Sequence, residues 1–162
     1  MTSNPVSTPT RSALGAWEAL WRAHTLLLQH FQQDDIWHPV SMREYDVLYA
    51  LTLAPHQALR LGELAAKSVM PQPSISRIVE QLVQKGLVER QQVTQDRRGV
   101  TVHLTPQGKQ VQQQVGRKHT RTVTQHMAGA LSTSELDELQ ALCTRLAHAN
   151  QTTQQPESNT HE

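Results

Sequence analysis

Apolar residues return at helical intervals over most of this chain, and the breaks in that rhythm mark its turns. From residue 12 to about residue 33, Leu14, Trp17, Trp21, His24, Leu28 and Phe31 follow one another at spacings of three and four. That sets them on one face of a helix, and Leu20 and Leu27 widen the stripe. Such a face is read first as packing on the chain's own core and second as a seam between chains. Val40-Ser41-x-x-Glu44-Tyr45 then combines a capping box, Ser41 with Glu44, and a hydrophobic staple, Val40 with Tyr45. Each side chain of the box takes an otherwise unpaired backbone N–H, so a helix should begin at Met42, bury Val47, Leu48 and Leu51, and end by Pro55.

A brief extended piece, Leu59-Arg60-Leu61, leads into a short helix from Gly62 to about Ser68 with Leu64 and Ala65 inward. A second helix begins near Pro73, because proline suits a first turn. It is expected to bury Ile75, Ile78, Val79, Leu82 and Val83 and to stop at Gly86. Two short helices with a tight break form a helix-turn-helix. Leu87–Gln92 and Val100–Thr105 alternate as strands, the second with Val100, Val102 and Leu104 inward and Thr101 and His103 outward. The polar loop between them carries Arg97 and Arg98. Thr105-Pro106 caps a long glutamine-rich helix, and Leu131-Ser132-x-x-Glu135-Leu136 opens a last one with Leu136, Leu139, Leu142, Cys143 and Leu146 on one face. The fold expected is mainly α with a small β-wing, in the order α-α-β-α-α-β-β-α-α: a winged helix-turn-helix over about residues 41–105, flanked by helices at about 12–33 and 106–148. Residues 1–11 and 149–162 are polar and expected to be disordered tails.

A helix-turn-helix followed by a hairpin points to double-stranded DNA, since its second helix fits the major groove. With the apolar face of that helix turned inward, Gln72, Ser74, Ser76, Arg77, Gln81 and Lys85 are left for DNA. Arg97 and Arg98 at the hairpin tip suit the electronegative minor groove. Charge agrees. Residues 60–109 hold eight basic and four acidic side chains, whereas the remainder holds seven and ten, so a net charge of +1 conceals a basic centre.

The run Asp96-x-Arg98-x-x-x-Val102-x-Leu104-Thr105-x-x-Gly108 resembles the wing signature of the MarR family of bacterial regulators. Ser76-Arg77-Ile78-Val79-x-x-Leu82 with Lys85-Gly86-Leu87-Val88-x-Arg90 is similar to its recognition helix and first wing strand, and Tyr45-Asp46-Val47-Leu48-x-x-Leu51 to the helix behind them. The resemblance covers roughly residues 12–148. It implies a homodimeric repressor on a palindromic operator, interlocked through dimerisation helices, the first and the last two, at about 12–33 and 106–148, with Leu14, Trp17, Trp21, Leu136, Leu139, Leu142 and Leu146 at the interface. It implies that Arg98 enters the minor groove and that Asp96 forms a salt bridge with Arg77. It also implies release by a small molecule, phenolic or similar, in a cleft to which Trp21, Arg22, His24, Asp46 and Tyr49 are assigned. One departure stands out: Pro71 and Pro73 flank Gln72 where many relatives carry serines and other donors.

Other chemistry finds less footing. There is no glycine-rich phosphate loop or Gly-x-Ser-x-Gly, so an enzyme is not expected, and no cofactor is implied. Nine histidines raise metal sensing, with His24, His30 and His38 close to Glu44 in sequence and His119 and His126 on one helix face. No pair has the spacing of ligands within a helix, and packing or surface roles are preferred. Cys143 raises redox sensing, yet it falls on an apolar face, and peroxide-sensing relatives place their cysteine in the first helix. No apolar run is long enough to span a membrane and no secretory signal opens the chain, so a cytoplasmic location is expected. The competing reading is a winged helix that binds DNA or protein without any ligand.

Overall fold

The computed structural model describes residues 8–33, 35–68, 70–92 and 99–151. The order of elements is α1 (Thr8–Gln33), α2 (Met42–Thr52), a single 3-10 turn (Pro55–Gln57), β1 (Ala58–Arg60), α3 (Leu61–Lys67), α4 (Gln72–Gln84), β2 (Val88–Gln92), β3 (Val100–Leu104), α5 (Pro106–Ala128) and α6 (Thr133–Gln151). This is the mainly helical fold with a β-wing read from the sequence. The chain divides into two compact units, one through Thr120 and one from Arg121.

In the first unit, local rules set the helix ends. The Ser41 hydroxyl accepts the Glu44 N–H at 3.2 Å and the Glu44 carboxylate accepts the Ser41 N–H at 2.6 Å, so α2 starts at Met42. Gly86, with φ of +68°, stops α4 in a conformation that L side chains resist. Three strands form an antiparallel sheet in the order β1-β3-β2. Val88 lies opposite Leu104 and Gln92 opposite Val100, while Leu59 lies opposite Val102. Thr105 closes the sheet onto α5: its hydroxyl donates to the Gly86 carbonyl and accepts the Gly108 N–H. A Cβ at Gly108 would run into the Leu87 carbonyl oxygen, so the glycine of the wing signature is what lets α5 lie against the hairpin.

The core of this unit is Val47, Leu48 and Leu51 of α2, Leu64 of α3, Ile75, Val79 and Leu82 of α4, Val88 and Val102 of the hairpin and Val115 of α5. Two expectations fail here. Val83 is 39% exposed, because at 3.6 residues per turn it falls at the edge of the arc that Ile75, Ile78, Val79 and Leu82 share. On β3 only Val102 is fully buried; Val100 and Leu104 are half-buried, and so are Thr101 and His103. β3 is the central strand, and neighbours on both sides shield what alternation would leave in water.

Aromatic packing supplies a part of the core that periodicity did not reveal. Trp37, between α1 and α2, is buried, and its indole N–H donates to the Phe31 carbonyl. Its ring lies 4.9 Å from that of His119 and 5.5 Å from that of Tyr45; His119 also meets Phe31 at 5.6 Å. His119 is thus a packing residue. Its Nδ1 is buried without a partner, and desolvation lowers its pKa below the usual histidine value.

α1 begins at Thr8, ahead of its expected start, and none of its residues is buried. Trp17 and Trp21, with rings 5.9 Å apart, are each about 60% exposed. The reading of this stripe as a core helix therefore fails over most of its length. Only Phe31, at its end, packs on the core. In the second unit α6 opens on the expected capping box, in which the Glu135 carboxylate accepts both the N–H and the hydroxyl of Ser132. Leu136, Leu139 and Cys143 are half-buried, while Leu142 and Leu146 are exposed. No helix among the described residues is long and apolar enough to cross a membrane.

Candidate nucleic-acid interface

α4 is divided cleanly between two environments. Ile75, Ile78, Val79 and Leu82 are buried, and Gln72, Arg77 and Gln81 are exposed, with Ser74 and Ser76 half-buried at the boundary. The division follows from the 3.6-residue period. Pro71 caps the helix and Pro73 occupies its first turn, so the prolines shape the start of α4 and offer no donors of their own.

Ser74, Arg77, Ile78 and Gln81 line a groove of about 430 Å³ with Ser41, Arg43 and Pro73. Arg43 is a residue that sequence reasoning missed. It stands in the first turn of α2, is exposed, and brings a second guanidinium to the wall of the groove that holds Arg77. Its own spacing carries no signal for this place, because the capping box fixes where α2 starts and not what α2 lies beside.

Lys85 goes elsewhere. Its ammonium sits 2.8 Å and 2.9 Å from the two carboxylate oxygens of Glu44 and also donates to the Pro39 carbonyl. The expected DNA-facing lysine instead neutralises a buried glutamate and fastens the end of α4 to the start of α2. The same contact engages Glu44, the carboxylate close in sequence to His24, His30 and His38. No three His, Cys, Asp or Glu side chains come together as a metal site among the described residues.

The hairpin reaches α4 through Arg90, whose guanidinium donates to the Ser76 carbonyl at 3.0 Å. Asp96, Arg97 and Arg98 lie outside the described residues, and so does the expected salt bridge of Asp96 with Arg77. The residues assigned to a ligand cleft separate into two groups. Asp46 and Tyr49 line a cleft of about 340 Å³ with Ala50, Leu53, Lys67 and Ser68. Trp21, Arg22 and His24 do not line it; they are exposed on α1, where Arg22 sits 3.9 Å from Glu18. Tyr49 stacks on Tyr45 with ring centres 6.1 Å apart. Loss of water around the Asp46 carboxyl raises its pKa above the ordinary aspartate value.

The MarR family profile matches residues 38–99, the segment that holds α2, the helix-turn-helix and the start of the wing. Over that segment the winged helix is similar to the MarR family. A curated relative, an uncharacterised HTH-type transcriptional regulator of Bacillus subtilis (strain 168), YkoM, is 24% identical over 127 residues, covering 78% of this chain and 80% of that one. Among solved structures, Sco3205, a MarR family transcriptional regulator from Streptomyces coelicolor in complex with DNA, aligns with a TM-score of 0.79 at 23% identity, over 99% of this chain and 97% of that one. PcaV, a transcriptional regulator from the same organism in complex with its natural ligand, aligns with a TM-score of 0.67 at 25% identity, over 93% and 99% of the two chains.

Proposed function

We propose that the protein is a sequence-specific DNA-binding transcriptional regulator that acts as a homodimeric repressor on an inverted-repeat operator and is released by a small molecule. The observation that carries this reading is the two-sided α4. One side is locked into the core, and the other presents Gln72, Ser74, Ser76, Arg77 and Gln81 beside Arg43. A helix held from behind delivers side chains to base edges in a fixed register. Arg77 suits the paired acceptors of guanine, and Arg43 suits a flanking phosphate. Arg97 and Arg98 are assigned to the minor groove. That Sco3205 was solved in complex with DNA supports the DNA-binding reading.

The homodimer is supported by the uncovered stripe of Leu14, Trp17 and Trp21 on α1 and by the partly covered one on α6, where Leu136 and Leu139 are half-buried and Leu142 and Leu146 exposed. A dyad would set two recognition helices about 34–36 Å apart, one turn of DNA. The effector is assigned to the Asp46–Tyr49 cleft. The Tyr49 ring, Ala50 and Leu53 offer an apolar seat, and Lys67 offers a cation for an acidic or phenolic oxygen. That PcaV was solved with its natural ligand supports control of this kind.

Footprinting on the DNA upstream of the protein's own gene, across a salt series, tests the central reading. A protected inverted repeat is expected, with affinity falling steeply as salt rises because each phosphate neutralised contributes about 0.9 to the slope. Protection no better than that of unrelated DNA would favour a winged helix used for protein contact.

A further inference from the structure

Arg90 stands in the middle of β2, in register with Val102 of β3, the one residue of that strand that is fully buried. Residues directly opposite in an antiparallel pair project from the same face of the sheet. Arg90, though exposed, therefore leaves the hairpin on the same face as Val102, and its Nη2 donates to the Ser76 carbonyl oxygen of α4. Ser76 is the residue between Ile75, which is fully buried, and Arg77, which is exposed on the reading face. A helical carbonyl keeps a second lone pair after accepting its intrahelical bond, and a guanidinium is a rigid donor well suited to it.

We propose that Arg90 is a positioning residue for base reading: it ties the recognition helix to the wing at the turn that carries Arg77, and contributes no phosphate contact. The inference rests on the DNA-binding reading above and adds a division of labour to it. Arginines on the reading face touch DNA, while this one, on the Val102 face of the wing, fixes the angle at which they do so. A charge-assisted bond to a single carbonyl is worth about a ten-fold change in an equilibrium. The loss should fall on specific binding alone, because binding to unrelated DNA does not need a fixed helix angle.

The test compares the full-length wild type with Arg90→Gln and Arg90→Lys. Each is titrated against the footprinted operator and a scrambled duplex across a salt series, and amide hydrogen exchange is followed in the free proteins. Arg90→Gln should bind the operator about ten-fold more weakly and the scrambled duplex as the wild type does, with the salt slope unchanged. Exchange should quicken in α4 but not in α2 or α3, and Arg90→Lys should recover part of the operator affinity. Equal losses on both duplexes, with a salt slope smaller by about 0.9, would make Arg90 a phosphate contact and overturn the proposal. An unchanged operator affinity would overturn it as well. Should the wild type show no operator preference, the regulator reading fails, and the exchange measurement alone decides whether Arg90 holds α4.

Discussion

The winged-helix core and the α1 and α6 helices are written in the same patterning, and the structure treats them in opposite ways. α2, only 11 residues long, buries five of them. α1, at 26 residues, buries none, and the apolar face of α6 is left at best half-buried. Both regions have apolar residues at helical spacing, and both α2 and α6 start on a Ser-x-x-Glu box. Periodicity thus tells that a face will be covered but not whether the cover belongs to the same chain. The adjacent rings of Trp17 and Trp21 make the difference concrete. Each tryptophan offers about 150–250 Å², and a monomer rarely leaves a joined apolar patch much larger than a few hundred Å² in water. The core is closed by its own chain, whereas the α1 stripe is left open by it.

The sharpest way to break this comparison is to spoil the open stripe. Trp17→Glu combined with Trp21→Glu should turn a dimer into a monomer in sedimentation equilibrium. Operator affinity should fall by about 100-fold or more, since each half-site would then be bound without the linked second contact. A variant with the mass and affinity of the wild type would show that the stripe is not an interface. Leu48→Ala attacks the closed core instead. A fully buried leucine reduced to alanine costs about 2–5 kcal/mol. The two variants should also differ in kind. The wild-type Tm should climb with protein concentration, as it does when association stabilises the fold. Leu48→Ala should lower that whole curve, while the tryptophan variant should flatten it.

The features legible in the sequence are those whose cause is local. Both capping boxes, the glycine stop of α4 and the inward face of Ile75, Ile78, Val79 and Leu82 depend on residues within a turn or two of one another. The missed ones are long-range. Lys85 reads as a solvent-facing cation until the fold brings Glu44, 41 residues away, against it. Arg90 is a strand residue until the hairpin lays it on Ser76. Trp37 sits in a turn, where no period applies, and its place becomes clear only when Tyr45 and His119 arrive from two other helices. The polar face of α4 was readable as what remained after the core residues were assigned. Its partner Arg43 was not, because nothing in its own spacing links α2 to that groove.

The two capping boxes offer a gentler probe, since they are the same motif in the two regions. In α2 the Glu44 carboxylate is buried and also bound by Lys85, so Ser41→Ala should cost about 1 kcal/mol in thermal unfolding. In α6 the box is exposed, water replaces what is lost, and Ser132→Ala should cost less. Equal costs would mean that burial adds nothing to the first box.

Acid should separate the regions in a graded way. Desolvation among Phe31, Trp37 and Tyr45 holds the pKa of His119 below its ordinary value of 6.5. As pH drops past 6.5 the unfolded chain takes up this proton before the folded one does, so stability rises with pH and is lost on acidification. Glu135 behaves otherwise. The Ser132 hydroxyl, and then the Ser132 backbone N–H, hold its pKa below 4.5. Its contribution is complete above 4.5 and disappears only as pH falls through the lower folded value. Between those two points the aromatic cluster should weaken while the α6 box stays closed. Thermal unfolding of the wild type and of His119→Phe, from about pH 7.5 to about pH 5, should show a slope in the first that is reduced in the second. The Ser132 amide resonance should stay unchanged over that range. If both proteins lose stability equally, other histidines carry the acid sensitivity and the buried imidazole is not its source.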